Sequence, residues 1–250
     1  MTKPKAYSKS APPPLVRIIP NAITITALCT GLTSIRFALS ERWEVAVSLI
    51  LIAAILDALD GRVARFLRVD SAFGAELDSL SDFISFGVAP AVMIYLYSLH
   101  LWKGTGWALA LFFSTCMALR LARFNTNISI PSADWEKRFS VGVPAPAGAF
   151  VAMSPLMLSF ALEENFGAHP LVFALILFIS GLLLISRIPT FLIKNVPIPH
   201  HYVRYLLILV ALFVAALFSS PWYTLSLGAF LYVCSIPISF MNYQRKKREK

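Results

Sequence analysis

Eight long apolar runs dominate this chain and leave it few ways to fold. They lie near Asn21 to Leu39, Trp43 to Asp60, Phe73 to Leu99, Gly106 to Leu121, Pro146 to Leu162, Pro170 to Ile188, Val203 to Phe218 and Pro221 to Phe240. Each can cross a hydrocarbon core of about 30 Å as a helix, and lipid leaves a helix as the natural choice because it offers no partner to backbone N–H and C=O groups. With 58% hydrophobic and only 14% charged residues, a soluble domain is excluded. The expected fold is all-α, a polytopic integral membrane bundle of about eight transmembrane helices. Residues 1–19 read as a basic segment on the membrane surface, 20–240 as one transmembrane domain and 241–250 as a basic tail.

Short loops rich in Lys and Arg stay on the cytoplasmic side. Nineteen of the 22 Lys and Arg residues fall in the termini and in alternate connections, leaving Arg36, Arg42 and Lys103 for the other side. Both termini are therefore expected in the cytoplasm, which agrees with an even number of spans. The formal charge of +9 is spread through loops beside spans rather than gathered on one folded face, so anionic lipid headgroups are the expected partner and nucleic acid is not. Cys29, Cys116 and Cys234 show no metal-ligand spacing and read as buried small hydrophobes.

Within this apolar chain, Asp57, Asp60, Asp78 and Asp82 stand at what should be the cytoplasmic ends of the second and third spans. On insertion scales an isolated carboxylate at bilayer depth costs roughly 2.5–3.5 kcal/mol, so four without compensation would cost on the order of 10 kcal/mol. Asp57 and Asp60 are three apart and Asp78 and Asp82 four apart, so each pair shares one helix face. If the two helices are neighbours, four carboxylates converge. With no Cys or His among them, the fitting counter-ions are hard divalent cations, Mg²⁺ or Mn²⁺. Two structural alternatives compete: a buried salt-bridge network with Arg62, Arg65 and Arg68, or a proton relay in a transporter or lipid-binding protein. The chain shows no internal repeat of broken helices such as a transporter would favour.

The residues around the acids suit phosphate chemistry. Gly61 removes a side chain where a nucleotide or phosphate can approach the helix, Ala64 keeps that surface small, and Arg65 offers a permanently charged fork for phosphate oxygens. Gly74 opens the return helix. Four carboxylates are about the number needed to hold two ions about 3.5–4 Å apart, the spacing that clamps the attacking and leaving oxygens of a displacement at phosphorus.

Written as a pattern, residues 57–82 read D-x2-D-G-x2-A-R-x8-G-x3-D-x3-D, which resembles the signature of the CDP-alcohol phosphatidyltransferase family. The resemblance implies transfer of a phosphatidyl group from a CDP-linked lipid to an alcohol, with release of CMP. It implies that Asp57, Asp60, Asp78 and Asp82 hold two divalent ions and that Asp82 also acts as general base on the acceptor hydroxyl. It further implies that the CDP-lipid is bound by Gly61, Ala64, Arg65 and Gly74, by Ser71 in the connecting turn, and by Pro20, Asn21, Ala22, Ile23 and Thr24 at the start of the first span. A homodimer and a catalytic bundle made of the first six spans, with the last two peripheral, follow from the same likeness.

The core pattern does not name the acceptor alcohol. Other segments, Arg120 to Asn125 (R-L-A-R-F-N), Ser140 to Ala149 (S-V-G-V-P-A-P-A-G-A) and Ser186 to Thr190 (S-R-I-P-T), are similar to the phosphatidylserine synthase branch of bacteria and archaea. This implies CDP-diacylglycerol and L-serine as substrates and a bacterial inner membrane as location. Gly142-Val143-Pro144 replaces the Gly-Leu-Pro usual in that branch. Serine carries a carboxylate that needs cationic donors, and Arg120, Arg123, Arg187 and Lys194 are the candidates. Ordinary positive-inside topology accounts for such residues equally well. Choline, inositol phosphate and glycerol 3-phosphate stay open as acceptors within the same fold; for choline, Phe124, Trp135 and Phe139 are candidate aromatic partners.

Overall fold

The computed structural model describes residues 14–67, 69, 71–127, 139–162, 169–191 and 200–248. In chain order these form α1 (Pro14–Leu39), α2 (Trp43–Leu67), α3 (Ala72–Asp82), a π-helical segment (Phe83–Val88), α4 (Ala89–Tyr97), a 3₁₀ turn (Leu99–Trp102) and α5 (Lys103–Asn127). There follow β1 (Phe139–Val141), α6 (Ala145–Ala152), α7 (Ser154–Leu162), α8 (Pro170–Ile185), β2 (Pro189–Phe191), α9 (His200–Ser219) and α10 (Pro221–Arg248).

Four segments are individually long and apolar enough to span a membrane: Ile18–Leu39, Ala72–Tyr97, Leu99–Thr126 and Pro221–Gln244. Helices α6 and α7, bent by 43° at their junction, make a fifth if counted as one. The remaining runs fall short for visible reasons. Asp57, Asp60, Arg62 and Arg65 load the last turns of α2 with charge, and α8 and the apolar part of α9 (Val203–Ser219) are shorter. Large apolar side chains cover the outer surface, among them Ile55, Leu119, Leu171, Leu207 and Phe230, as expected of a bundle whose solvent is lipid.

Helices without a water-driven hydrophobic effect between them associate by close packing of small residues. Helix α1 presents such a stripe in Thr24, Ala27, Gly31, Ser34 and Ala38, all buried. Ser81 and Ser85 reach this stripe and donate to the carbonyls of Thr24 (3.3 Å) and Ala27 (3.4 Å). At Gly31 the approach is closest, since an added Cβ would lie 2.9 Å from Ser85 Cα. On α2 the buried positions Ala46, Val47, Ile50, Ala53 and Asp60 trace one stripe. Continued at the same spacing, it includes Asp57, so the packing face of α2 is also the face that carries its acids.

Away from the acids, Phe86, Phe113, Met117, Phe173, Leu177, Leu156 and Met157 fill the centre of the bundle. Two features depart from the all-α expectation of uninterrupted spans. The third run carries the π-helical segment directly after Asp82, and β1 pairs antiparallel with β2, with Phe139 opposite Phe191, Ser140 opposite Thr190 and Val141 opposite Pro189. The two outer helices also differ. Helix α9 packs chiefly against α10, whereas α10 runs along α7, α6 and β2, so it belongs to the bundle rather than standing beside it. Residues 14–19, read as surface segment, form the first turns of α1, and 241–248 continue α10. Cys116 is buried, while Cys29 and Cys234 face outward, against the expectation that all three are core.

Candidate active site

Helices α2 and α3 bring the four aspartates together because they meet side by side on α1. Carboxylate oxygens of Asp57, Asp60 and Asp78 all lie within 4.8 Å of one another. Asp82, one turn beyond Asp78, is not part of that group of three, but its carboxyl touches that of Asp57. Asp60 is only 4% exposed, and the other three are half-buried.

Among the described residues, Arg120 on α5 is the only cation that acts appreciably on this cluster, through Asp82 and Asp57, and none acts on Asp60 or Asp78. Arg62 and Arg65 do not form the salt-bridge network considered as an alternative; Arg68 lies outside the described residues. Converging carboxylates with so little protein charge to balance them, and with oxygen as the sole donor type, fit hard divalent cations.

Beside the cluster lies a cleft of about 210 Å³ lined by Pro20, Asn21, Thr24, Asp60, Gly61, Ala64, Arg65, Val69, Ser71, Gly74, Ala75 and Asp78. Every CDP-lipid residue implied by the resemblance, apart from Ala22 and Ile23, is in this wall. The two glycines serve it differently. A Cβ on Gly74 would meet Asn21 Oδ1 and Ser71 Oγ at 3.1 Å, so this glycine lets the start of α1 close on α3. A Cβ on Gly61 would find only the Arg65 guanidinium, at 3.7 Å, so the space over Gly61 is open to a ligand with Arg65 above it.

Two polar residues in the wall have structural partners of their own. Ser71 caps α3, its Oγ accepting from the Gly74 N–H at 3.0 Å. The Thr24 hydroxyl lies 2.5 Å from Asp60 Oδ2 and 3.1 Å from the Pro20 carbonyl, which fixes the Asp60 carboxylate from behind. Sequence reading assigned Thr24 to nucleotide binding and missed this tie. It also missed Asn125, whose amide donates to Ser79 Oγ at 3.0 Å and holds α5 against α3 between Asp78 and Asp82. A hydroxyl and an amide 46 residues apart give no signal until the helices are docked.

The four candidate serine-binding residues are not gathered in one place. Arg120 is half-buried, donates from Nε to the Val143 carbonyl at 2.9 Å, and has Asp82 as its strongest electrostatic partner. Arg123 donates to the carbonyls of Ile185, Leu184 and Ser186. Arg187 is exposed and near Arg123. Lys194, Trp135 and the rest of the loop 128–138 lie outside the described residues.

An acid cluster on paired helices, opening beside a phosphate-sized cleft at one end of a polytopic bundle, defines a membrane-embedded transferase acting on phosphorylated lipid. The family model for CDP-alcohol phosphatidyltransferase matches residues 17–192, a second, CDP-alcohol phosphatidyltransferase 2, matches 201–237, and the chain belongs to this family. Its curated relatives include the CDP-diacylglycerol–serine O-phosphatidyltransferase of Mycobacterium leprae (strain TN), 40% identical over 91% of this chain and 76% of the relative. The enzymes of the same name from Helicobacter pylori (strain ATCC 700392 / 26695) and Methanocaldococcus jannaschii are 35% and 37% identical. The alignments cover 86% of this chain and 88% of the relative in the first case, and 68% and 72% in the second.

Proposed function

We propose that this protein is a metal-dependent CDP-diacylglycerol–L-serine O-phosphatidyltransferase, forming phosphatidylserine and CMP. The observation that carries this reading is the convergence of Asp57, Asp60 and Asp78 at the edge of the cleft formed by Gly61, Ala64 and Arg65. The names of the curated relatives support serine as acceptor.

In this mechanism the pyrophosphate of CDP-diacylglycerol lies over Gly61, with the Arg65 fork on its oxygens. Asp57, Asp60, Asp78 and Asp82 would hold two Mg²⁺ or Mn²⁺ ions, which supply charge neutralisation of the pyrophosphate and of the leaving group. Thr24 keeps Asp60 in its ligating orientation, as outer-shell hydrogen bonds do at metal sites. Asp82 takes the proton of the serine hydroxyl, whose oxygen forms a bond to the phosphatidyl phosphorus as the bond from that phosphorus to the CMP oxygen breaks. Arg120, adjacent to Asp82, holds the serine carboxylate and so brings the hydroxyl to the base.

The same reading places the acid ends of α2 and α3 in the cytoplasm, where serine and the nucleotide product are soluble. It counts eight crossings, taking α3 with α4 and α6 with α7 as single bent rods, and treats the protein as a homodimer. The distribution of basic loop residues supports the orientation; resemblance supports the dimer. The test is CMP release from CDP-diacylglycerol in detergent micelles with Mg²⁺ or Mn²⁺, comparing serine, choline, inositol phosphate and glycerol 3-phosphate. Serine-dependent release that a chelator abolishes is expected. Release with a different acceptor keeps the chemistry and reassigns the acceptor pocket; no release with any of them refutes the transferase reading.

A further inference from the structure

We propose that Arg123 is a positioning residue for the acceptor step: it does not touch serine but fixes the segment whose carbonyl orients Arg120. The inference rests on the reading that Arg120 holds the acceptor carboxylate.

The last carbonyls of a helix lack intrahelical partners. At the end of α8 they are taken up by one side chain from another helix. Arg123 Nη1 donates to Ile185 O at 2.7 Å, and Nη2 donates to Leu184 O and Ser186 O, each at 3.2 Å. The planar fork matches three carbonyls splayed around a helix end, a geometry that the point charge of a lysine does not reproduce.

The chain that follows β1 is laid across this cap. Gly142 adopts φ +82°, and an added Cβ there would lie 2.8 Å from Ser186 O and 3.0 Å from both Arg123 Nη2 and Leu184 O. Only glycine fits that conformation and that space together. Gly142 N–H donates to Ile188 O at 3.0 Å, and Gly142 O accepts from Thr190 Oγ1 at 2.9 Å. From α10, Ser239 Oγ donates to Pro189 O at 2.7 Å and secures the opposite strand. The next residue in the laid-down segment is Val143, 1% exposed, and its carbonyl receives Arg120 Nε.

Arg123 and Arg120 lie three apart on α5, so one helix face both anchors the segment and uses it. Arg123 ties the segment to α8, and the segment returns a fixed acceptor to Arg120. The Arg120 side chain is thereby held toward Asp82, its strongest electrostatic partner.

The test measures serine KM, CDP-diacylglycerol KM and kcat for the full-length protein in micelles, for Arg120→Gln, Arg123→Gln, Arg123→Lys and the Arg120→Gln/Arg123→Gln double variant. Loss of hydrogen bonds from a charged group predicts a serine KM raised about ten-fold or more in Arg123→Gln, with the CDP-diacylglycerol KM within about two-fold of wild type. Arg123→Lys does not rescue, and the double variant is no worse than Arg120→Gln alone, because both act through one side chain. Multiplying effects in the double variant, or rescue by lysine, would place Arg123 on the substrate and overturn the proposal; so would wild-type serine KM in Arg123→Gln. If the Arg123 variants do not fold, Thr190→Val removes only the bond to Gly142 O, and an unchanged serine KM there overturns the proposal. Absence of serine-dependent turnover in the wild type instead refutes the underlying transferase reading.

Discussion

The two sides of the site are built on different chemistry. On the α1–α3 side, charged and polar side chains project from helices at spacings of three and four residues, and the chain's job is to dock those helices closely. On the α5–α8 side, much of the polar work is done by main-chain carbonyls where helices end, and side chains such as Arg123 and Thr190 serve the backbone. The difference teaches that a donor site with much anionic charge to bind is made from side-chain identity. The acceptor side is made from the path of the chain.

Substitutions separate the two. The largest effect is expected from Asp82→Asn, which removes the base while keeping side-chain size: CMP release falls by roughly 10²–10⁴-fold, while the thermal midpoint in detergent stays close to wild type. A variant that still turns over would return Asp82 to a purely structural role. Thr24→Val comes next. Loss of its hydroxyl from behind Asp60 is expected to raise the Mg²⁺ or Mn²⁺ concentration for half-maximal activity by about 10–100-fold, read from metal titrations after chelator treatment. Unchanged metal dependence would show that Asp60 needs no support.

A pair of glycine variants contrasts binding with packing. Gly61→Ala meets nothing closer than the Arg65 guanidinium at 3.7 Å, so its stability should match wild type while its CDP-diacylglycerol KM rises by about ten-fold, the scale of a small steric misfit. Gly31→Ala drives a Cβ into the Ser85 backbone and should lower thermal stability by about 1–3 kcal/mol through overpacking. Were Gly61→Ala to bind CDP-diacylglycerol normally, the space above Gly61 would not be the phosphate path. The smallest effect belongs to Asn125→Ala, about 0.5–1.5 kcal/mol from one hydrogen bond to Ser79, measurable as a few-fold fall in kcat.

What could be read from the sequence follows the same division. Asp57, Asp60, Asp78 and Asp82 are legible because helical periodicity converts spacing into a shared face, and their cost in lipid demands an explanation. The cleft residues from Pro20 to Gly74 are legible because small and charged residues alternate at fixed distances from those acids. Nothing comparable marks the β1–β2 ribbon, whose pairing joins Ser140 to Thr190 across a span of unrelated helices. Arg123 reads as one more basic residue near a membrane surface until α8 is seen to end beside it. Helix α10 reads as an ordinary terminal span; its contact is a single hydroxyl, Ser239, on a backbone carbonyl. The π-helical segment has no composition cue, since Phe83 to Val88 is as apolar as an ordinary transmembrane turn.

That segment sets the rotational phase of everything after it. A π turn accommodates one more residue than an α turn over nearly the same rise, so α4 emerges about 100° out of step with α3. Removing one residue between Phe83 and Val88 would let the rod run as a continuous α-helix. Ser81 would still face α1, but Met93 and Ile94, now buried to the last atom, would turn away from the core. The chain thus tolerates acids and an apolar core on one rod because the two halves of that rod keep separate angular registers.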